Sequence, residues 1–346
     1  MRLLISGGGT GGHVLPALAV AQAFRVEHPE GSLLMLGRAG GLEERLVPAA
    51  GFDLETIRVR GLDRDAPWKN LALPWLLPTA LAAALRVLDR FRPDLVLGVG
   101  GYAMAPGLAA ARLRGIPYVL QVFEARGLAN RIFRRSAAAA CVTFPRDAGE
   151  FRTRRTVLTG YPLRPGFVRR TPLVPPERLL VMGGSQGARR LNQSTWGALD
   201  RLLERFREVI HLTGRQGEAQ ARELARPGYR PIPFSDEVAG LMAEADLVIS
   251  RAGVGACAEI TAVGLPAIVV PGTFGGGHQE RNARELVAAG AAVRVADDDL
   301  SAKTLVRTVE GLDDDRLRAM ARASAALGRP DAARAIVQVL EEVAAS

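Results

Sequence analysis

Apolar positions along the chain follow two rhythms. Short unbroken apolar runs, of a length suited to strands buried on both faces, occupy 2–6, 32–36, 54–59, 94–99, 117–122 and 139–143. Between them lie stretches whose apolar residues return at helical spacing, such as 13–28, 41–50 and 105–114. This alternation predicts βαβ units and an open, mainly parallel sheet. From 160 to 177 the rhythm stops, and "GYPLRPGFVRRTPLVPPE", with five prolines, reads as an interdomain linker. The pattern then restarts, with strands expected at 178–182, 208–213, 229–234, 246–250, 266–271 and 291–295. The fold class expected is α/β: two Rossmann-like domains facing across a cleft, 1–160 and 161–330. A closing helix, 331–346, is placed to pack back on the first domain.

Each half opens in the same way. Arg2-Leu3-Leu4-Ile5 leads into "SGGGTGGH" at 6–13, and 178–182 leads into "GGSQGARRLN"; both glycine loops then open a helix. Backbone N–H groups and the helix dipole converge at such a junction and make an anion site. A third loop, "GVGGYAMAPG" at 98–107, follows the run 95–97. Gly7-x-Gly9-x-x-Gly12 also spells the dinucleotide fingerprint. That reading needs an acid at the end of the next strand, where this chain has Gly37-Arg38. NAD is thereby disfavoured, and Arg38 leaves an NADP-dependent oxidoreductase as a weaker alternative. Three loops over two domains point to two phosphorylated ligands held face to face.

Composition narrows this only a little. At 346 residues the chain is long enough for two cores. Cys141 and Cys257 are too few for a disulfide framework or a cysteine-metal cluster, which fits a reducing, cytoplasmic setting. The opening Met-Arg-Leu-Leu-Ile-Ser-Gly enters the first strand at once and leaves no room for a signal peptide. The net charge of +9 is carried by arginine, Lys69 and Lys303 being the two lysines. Such a charge reflects either composition alone or attraction to an anionic partner. Nucleic acid is disfavoured, because aromatics are 5% and no basic segment interleaves them.

Five segments in order then carry a specific likeness. "GGGTGGHVLPALAVA", "GVGGYAMAPGLAAA", "GGSQGARRLN", "SRAGVGACAEITAVGLPAI" and "GGGHQERNA" resemble the MurG family, the bacterial glycosyltransferases of peptidoglycan synthesis, over roughly residues 1–340. The resemblance implies the GT-B fold, with an N-terminal acceptor domain and a C-terminal UDP-sugar domain. The activity it implies is transfer of N-acetylglucosamine from UDP-GlcNAc to the 4-hydroxyl of the muramoyl sugar of lipid I. The product is lipid II, formed with inversion. UDP-GlcNAc, the membrane lipid acceptor and an anionic membrane surface are the partners implied, at the cytoplasmic face of the membrane, with no further cofactor and no metal.

Residue by residue, the likeness gives the donor side Ser185, Gln186 and Gly187 at the second glycine loop, Asn192 in its helix, and Arg164 near the diphosphate. Amide donors and a forked cation suit the charge that gathers on departing UDP. Glu259 is matched to the ribose hydroxyls, Phe234 and Ser235 to the uracil. His278, Gln279 and Asn282 are matched to the donor sugar, for which amides offer both donors and acceptors. Thr10, Gly11, Gly12, Gly100, Gly101 and Tyr102 are matched to the acceptor diphosphate. His13 has two readings: a general base of suitable pKa, or a group that only positions the acceptor or fixes the loop.

One segment departs from the family. Where relatives carry His-Glu-Gln-Asn, this chain has Leu120-Gln121-Val122-Phe123 before "EARGLAN", which puts polar contacts there in doubt and leaves Gln121 or Glu124 as substitutes. Asp63-Arg64-Asp65 spells a metal-binding Asp-x-Asp but lies far from the donor segments and reads as surface. The acids at 297–299 and 313–315 read as helix starts. The apolar stretch Trp68 to Arg86 is too short and too proline-broken to span a bilayer. It reads as core, or as an interfacial segment with Trp68 and Trp75 at headgroup depth and Lys69, Arg86 and Arg90 toward acidic lipid. Two rivals share the fold: a transferase with another glycolipid acceptor, and a UDP-GlcNAc 2-epimerase, which would need neither the loop at 98–107 nor an apolar patch.

Overall fold

The computed structural model describes residues 1–61, 73–123, 127–151, 153–184, 187–273 and 277–346, with the side chains of 73–75 outside that description. It divides into two units, Met1–Arg164 with Asp331–Ser346, and Pro165–Pro330.

In the first unit, β1 (Arg2–Ser6), β2 (Ser32–Arg38), β3 (Asp53–Ile57), β4 (Leu95–Gly98), β5 (Tyr118–Val122), β6 (Ala139–Val142) and β7 (Thr156–Leu158) form one parallel sheet. Its order is β3-β2-β1-β4-β5-β6-β7. Helices α1 (Gly11–Glu27), α2 (Glu43–Ala49), α3 (Leu73–Phe91), α4 (Met104–Leu113), α5 (Leu128–Phe133) and α6 (Pro145–Glu150) connect the strands. The central strands are continuous apolar runs because helices cover both their faces; Leu3, Leu4, Ile5, Leu95, Val96 and Leu97 are all solvent-free. Strand β7 is absent from the sequence expectation. It is three residues long, half-buried and at the sheet edge, so periodicity gives it no signal.

The second unit repeats the plan with β8 (Arg178–Met182), β9 (Glu208–Leu212), β10 (Tyr229–Ile232), β11 (Leu247–Ser250), β12 (Ala267–Val269) and β13 (Ala292–Arg294), in the order β10-β9-β8-β11-β12-β13. Its helices are α7 (Arg189–Arg205), α8 (Glu218–Glu223), α9 (Val238–Glu244), α10 (Val254–Val263), α11 (His278–Ala288), α12 (Ala302–Glu310) and α13 (Asp314–Leu327). Each sheet therefore reverses its strand order once, between β1 and β4 and between β8 and β11. In open α/β sheets, ligands bind beyond the strand carboxyl ends at such a point.

The acids at 297–299 do not start a helix, contrary to expectation. Helix α12 begins at Ala302 behind the N-cap Ser301, and Asp297 is ion-paired with the nearly buried Arg251. Asp313 does cap α13, accepting the Arg316 amide at 2.8 Å. Among the described residues no helix is long and apolar enough to cross a membrane. In α3, Ala80, Ala84, Val87 and Leu88 face the core while Leu77 and Arg86 are exposed; Arg90 is committed to Glu55. Trp68 and Lys69, and the Asp63-Arg64-Asp65 motif, lie outside the described residues, as does the Trp75 side chain.

The last helix, α14 (Ala332–Ala344), belongs to the first unit. Its Ile336, Val337 and Leu340 are solvent-free and join Ile5, Val14, Phe24 and Leu97 in one core cluster. Arg334 to Glu27 at 2.9 Å and His28 to Glu341 at 2.8 Å fasten the rim of the α14–α1 contact. Truncating Leu340→Ala is expected to cost about 2–5 kcal/mol, read as a lowered denaturation midpoint of the first unit, with the second unit's own transition unchanged.

Candidate active site

The first-unit site is built by two loops that leave the sheet side by side. Ser6 and Gly98 are register partners at the ends of β1 and β4, and beyond them the Gly8 amide donates to the Gly100 carbonyl at 3.1 Å. The approach is so close that a Cβ on Gly101 would lie 1.9 Å from the Gly8 carbonyl oxygen, and Gly101 also needs φ +78°. A Cβ on Gly100 would lie 2.4 Å from Cδ2 of His13, so the loop brings the histidine ring directly onto the neighbouring backbone. Thr10 is the N-cap residue of α1, and Gly11 and Gly12 supply its first-turn amides. Tyr102, 51% exposed, stands at the end of the second loop.

The Thr10 hydroxyl does not cap the helix. It meets Nδ1 of His13 at 2.9 Å. With Nδ1 donating to that hydroxyl, the imidazole lone pair falls on Nε2. Burial lowers the pKa of His13 below its ordinary value, against an opposing pull from the Glu43 carboxylate. The neutral, proton-accepting form is therefore the resting form at neutral pH.

Phe123 accounts for part of that burial. Leu120 and Val122 are simply the interior of β5, and Phe123 beyond them packs its ring 5.9 Å from His13 and 4.9 Å from Tyr161. The departure from the family segment thus replaces polar groups with an aromatic wall beside the histidine. Gln121 is buried, its Nε2 donating to the Gly160 carbonyl at 3.4 Å, and Glu124 lies outside the described residues. Tyr161 has its own task. Pro16 lacks the N–H that would bond the Gly12 carbonyl four residues back, and the Tyr161 hydroxyl donates to that carbonyl instead, at 3.1 Å. Glu43, Phe123 and Tyr161 escaped the sequence reading as site residues; the motif "GGLEERL" marks a helix start but gives no sign that its first acid turns inward.

The second-unit loop follows β8 at its switch point. Ser185 and Gln186 lie outside the described residues. Gly187 has φ +76°, and a Cβ there would lie 2.7 Å from the Thr213 carbonyl oxygen. Asn192 is buried, with its amide committed within the unit: Nδ2 donates to that same Thr213 carbonyl at 2.7 Å, and Oδ1 lies 3.1 Å from Nε2 of His211. It clamps the start of α7 to the end of β9. His211 is solvent-free, and its Nδ1 lies 3.1 Å from the Tyr229 hydroxyl, which also accepts from Nε1 of Trp196 at 2.9 Å.

Phe234 is 48% exposed, which rules out a purely core role, and Arg215 stacks 5.8 Å above its ring. Ser235 accepts the Glu237 amide at 3.0 Å. Glu259 is half-buried on α10. On α11, Oε1 of Gln279 accepts the Gly272 amide at 2.8 Å, buried Asn282 donates to the Ala252 carbonyl at 3.0 Å, and Arg281 meets Nδ1 of His278 at 2.7 Å. The first two of these bonds tie α11 to the loops after β12 and β11, at the carboxyl edge of the second sheet. Arg164 is partly exposed and ends the first of the two segments that make up the first unit.

Two Rossmann-like units, each with glycine loops at its switch point, define the architecture of a GT-B glycosyltransferase. Residues 3–142 match the N-terminal domain of glycosyltransferase family 28, and residues 178–336 match its C-terminal domain. A protein of Desulforudis audaxviator named UDP-N-acetylglucosamine--N-acetylmuramyl-(pentapeptide) pyrophosphoryl-undecaprenol N-acetylglucosamine transferase is 41% identical, over 99% of this chain and 99% of its own. A protein of the same name from Anaeromyxobacter sp. strain K is 40% identical, over 99% and 93%. The crystal structure of Acinetobacter baumannii MurG superposes with a TM-score of 0.83 at 27% identity, over 99% of both chains. The chain belongs to the MurG family of glycosyltransferases. Likeness to the calicheamicin glycosyltransferase CalG4, at 18% identity and a TM-score of 0.72, shows the shared fold alone.

The buried His211 sets a pH dependence. Burial pushes its pKa down to about 3, so between pH 6.5 and 3 the unfolded chain binds a proton that the folded chain refuses. Stability then rises with pH through this window and levels off above it. Comparing urea unfolding at pH 6.5 and 4.5, the native protein is expected to lose roughly 2 kcal/mol more than His211→Gln. Equal losses would show that His211 does not titrate on unfolding.

Proposed function

We infer that the chain transfers N-acetylglucosamine from UDP-GlcNAc to the 4-hydroxyl of the muramoyl sugar of lipid I, giving lipid II with inversion at the sugar carbon. The observation that carries this is the 41% identity, along 99% of the chain, to a transferase whose name states both donor and acceptor. The acceptor oxygen forms its bond to the sugar C1 as the bond from C1 to the UDP oxygen breaks. The electron pair of that bond leaves on the diphosphate, and the hydroxyl proton passes to Nε2 of His13. With Nδ1 donating to the Thr10 hydroxyl, the lone pair this requires lies on Nε2, and burial favours the unprotonated imidazole beforehand.

In this reading Thr10, Gly11, Gly12, Gly100, Gly101 and Tyr102 receive the acceptor diphosphate. The loop of Ser185, Gln186 and Gly187, with Arg164, receives the charge of the leaving UDP through amides and a guanidinium. Asn192 acts one step back, by holding the loop. Glu259 accepts the ribose hydroxyls; Phe234, kept at the surface, stacks on the uracil beside Ser235. His278, Gln279 and Asn282 face the donor sugar. The acceptor is membrane-bound, so the protein works peripherally at the cytoplasmic face, with exposed Leu77 and Arg86 of α3 among the groups toward lipid.

Incubation with UDP-GlcNAc and a short-chain lipid I analogue is expected to yield the disaccharide product, and its absence would overturn the assignment. In the same assay His13→Ala should lower kcat about 100-fold or more, with UDP-GlcNAc affinity unchanged; undiminished turnover would remove His13 as the base. On the membrane side, the protein should sediment with anionic vesicles at low salt and be released at high salt, and indifference to vesicles would refute this part.

A further inference from the structure

We propose that Glu43 is a positioning residue for the transfer, shaping the loop at residues 7–10 and stabilising the proton that His13 takes from the acceptor. The proposal rests on the acceptor-side reading of that loop.

Glu43 is the first residue of α2, yet it is 1% exposed. One carboxylate oxygen accepts the Gly9 amide at 3.0 Å and the other accepts the Arg38 amide at 2.7 Å. The carboxylate therefore joins the glycine loop after β1 to the end of β2. The chain makes room for it with glycine: a Cβ on Gly41 would lie 2.3 Å from Oε2, and one on Gly8 2.5 Å from Oε1. Burying a carboxylate is costly unless it is hydrogen-bonded, and here the two bonds go to backbone amides, which a neutral side chain would also satisfy in part. Shape alone does not call for a charge.

The charge has a nearby use. His13 lies in the first turn of α1, which follows directly on the loop holding Gly9, its Nδ1 against Thr10 and its ring beside Gly100 and Phe123. Proton uptake there creates an imidazolium in largely apolar surroundings, and the fixed negative charge of Glu43 favours it. Thr10, Gly100 and Phe123, which face His13 from the loop, β4 and β5, are uncharged, with Tyr161 stacked behind Phe123. On the corner of β2 and α2, Arg38 donates to the Gly40 carbonyl and Glu44 accepts the Gly40 amide. A second consequence concerns binding: Glu43 already occupies the Gly9 amide, so an acceptor phosphate must use other donors of the two loops.

The test compares Glu43→Gln and Glu43→Ala with His13→Ala. NMR titration of His13 is read on the substrate-free protein. In E43Q its midpoint should fall by about half a unit or more, and kcat should drop about tenfold, with the donor KM unchanged. In E43A, which also frees the Gly9 amide, the acceptor KM should rise as well. Gln keeps the size and one acceptor, so E43Q carries the charge test if E43A does not fold. An unmoved His13 midpoint in E43Q overturns the Glu43 proposal whatever the activity. Retained turnover in H13A, with the midpoint shifted in E43Q, overturns the base reading and with it the catalytic use of the Glu43 charge, while the coupling of Glu43 to His13 stands.

Discussion

The hydrogen bond from the Gly8 amide to the Gly100 carbonyl is the constraint on which the first half of the site depends. It exists because β1 and β4 are neighbours at the point where the strand order reverses, so their following loops emerge together. Side chains are excluded from the contact, and the exclusion brings the ring of His13 against the second loop. The second unit solves the same problem differently: Gly187 lies against the Thr213 carbonyl, and Asn192 binds that carbonyl from α7. In both units the loop backbone is held by partners within the unit, independently of any ligand, which is the kind of preorganisation that transition-state stabilisation requires.

Each unit also buries a polar group beneath its loop, and the two are opposite in character. Glu43 places a carboxylate whose field opposes the effect of burial on His13. His211 is kept neutral by burial in a network with Asn192, Tyr229 and Trp196. The aromatic wall of Phe123 and Tyr161 belongs with the first case. It withdraws solvent from His13, so that the field of a single carboxylate is felt more strongly than it would be in water.

Local patterns are enough to read the alternation of strands and helices, the glycine loops and the family, whereas the order of the strands in each sheet comes only with the structure. Twelve of the thirteen strands follow from short apolar runs, because a parallel sheet covered on both faces demands them. What the pattern lacks is tertiary closure. The Gly9–Glu43 bond spans 34 positions and the Tyr161–Gly12 bond 149, and neither leaves a periodic trace. Asp297 misled for the same reason: a row of acids ahead of a helix looks like capping until Arg251 is seen beside it. Asn192 was legible as part of a motif, but its committed amide became visible only with Thr213 and His211 in place.

The return of α14 to the first unit has a consequence for biosynthesis. The segment that completes the first unit's core leaves the ribosome only after the whole of Pro165–Pro330. The usual order, in which the domain made first finishes folding first, is therefore inverted at its final step. The first sheet keeps an uncovered apolar flank until α14 emerges, and nascent-chain chaperones have a defined surface to shield until then.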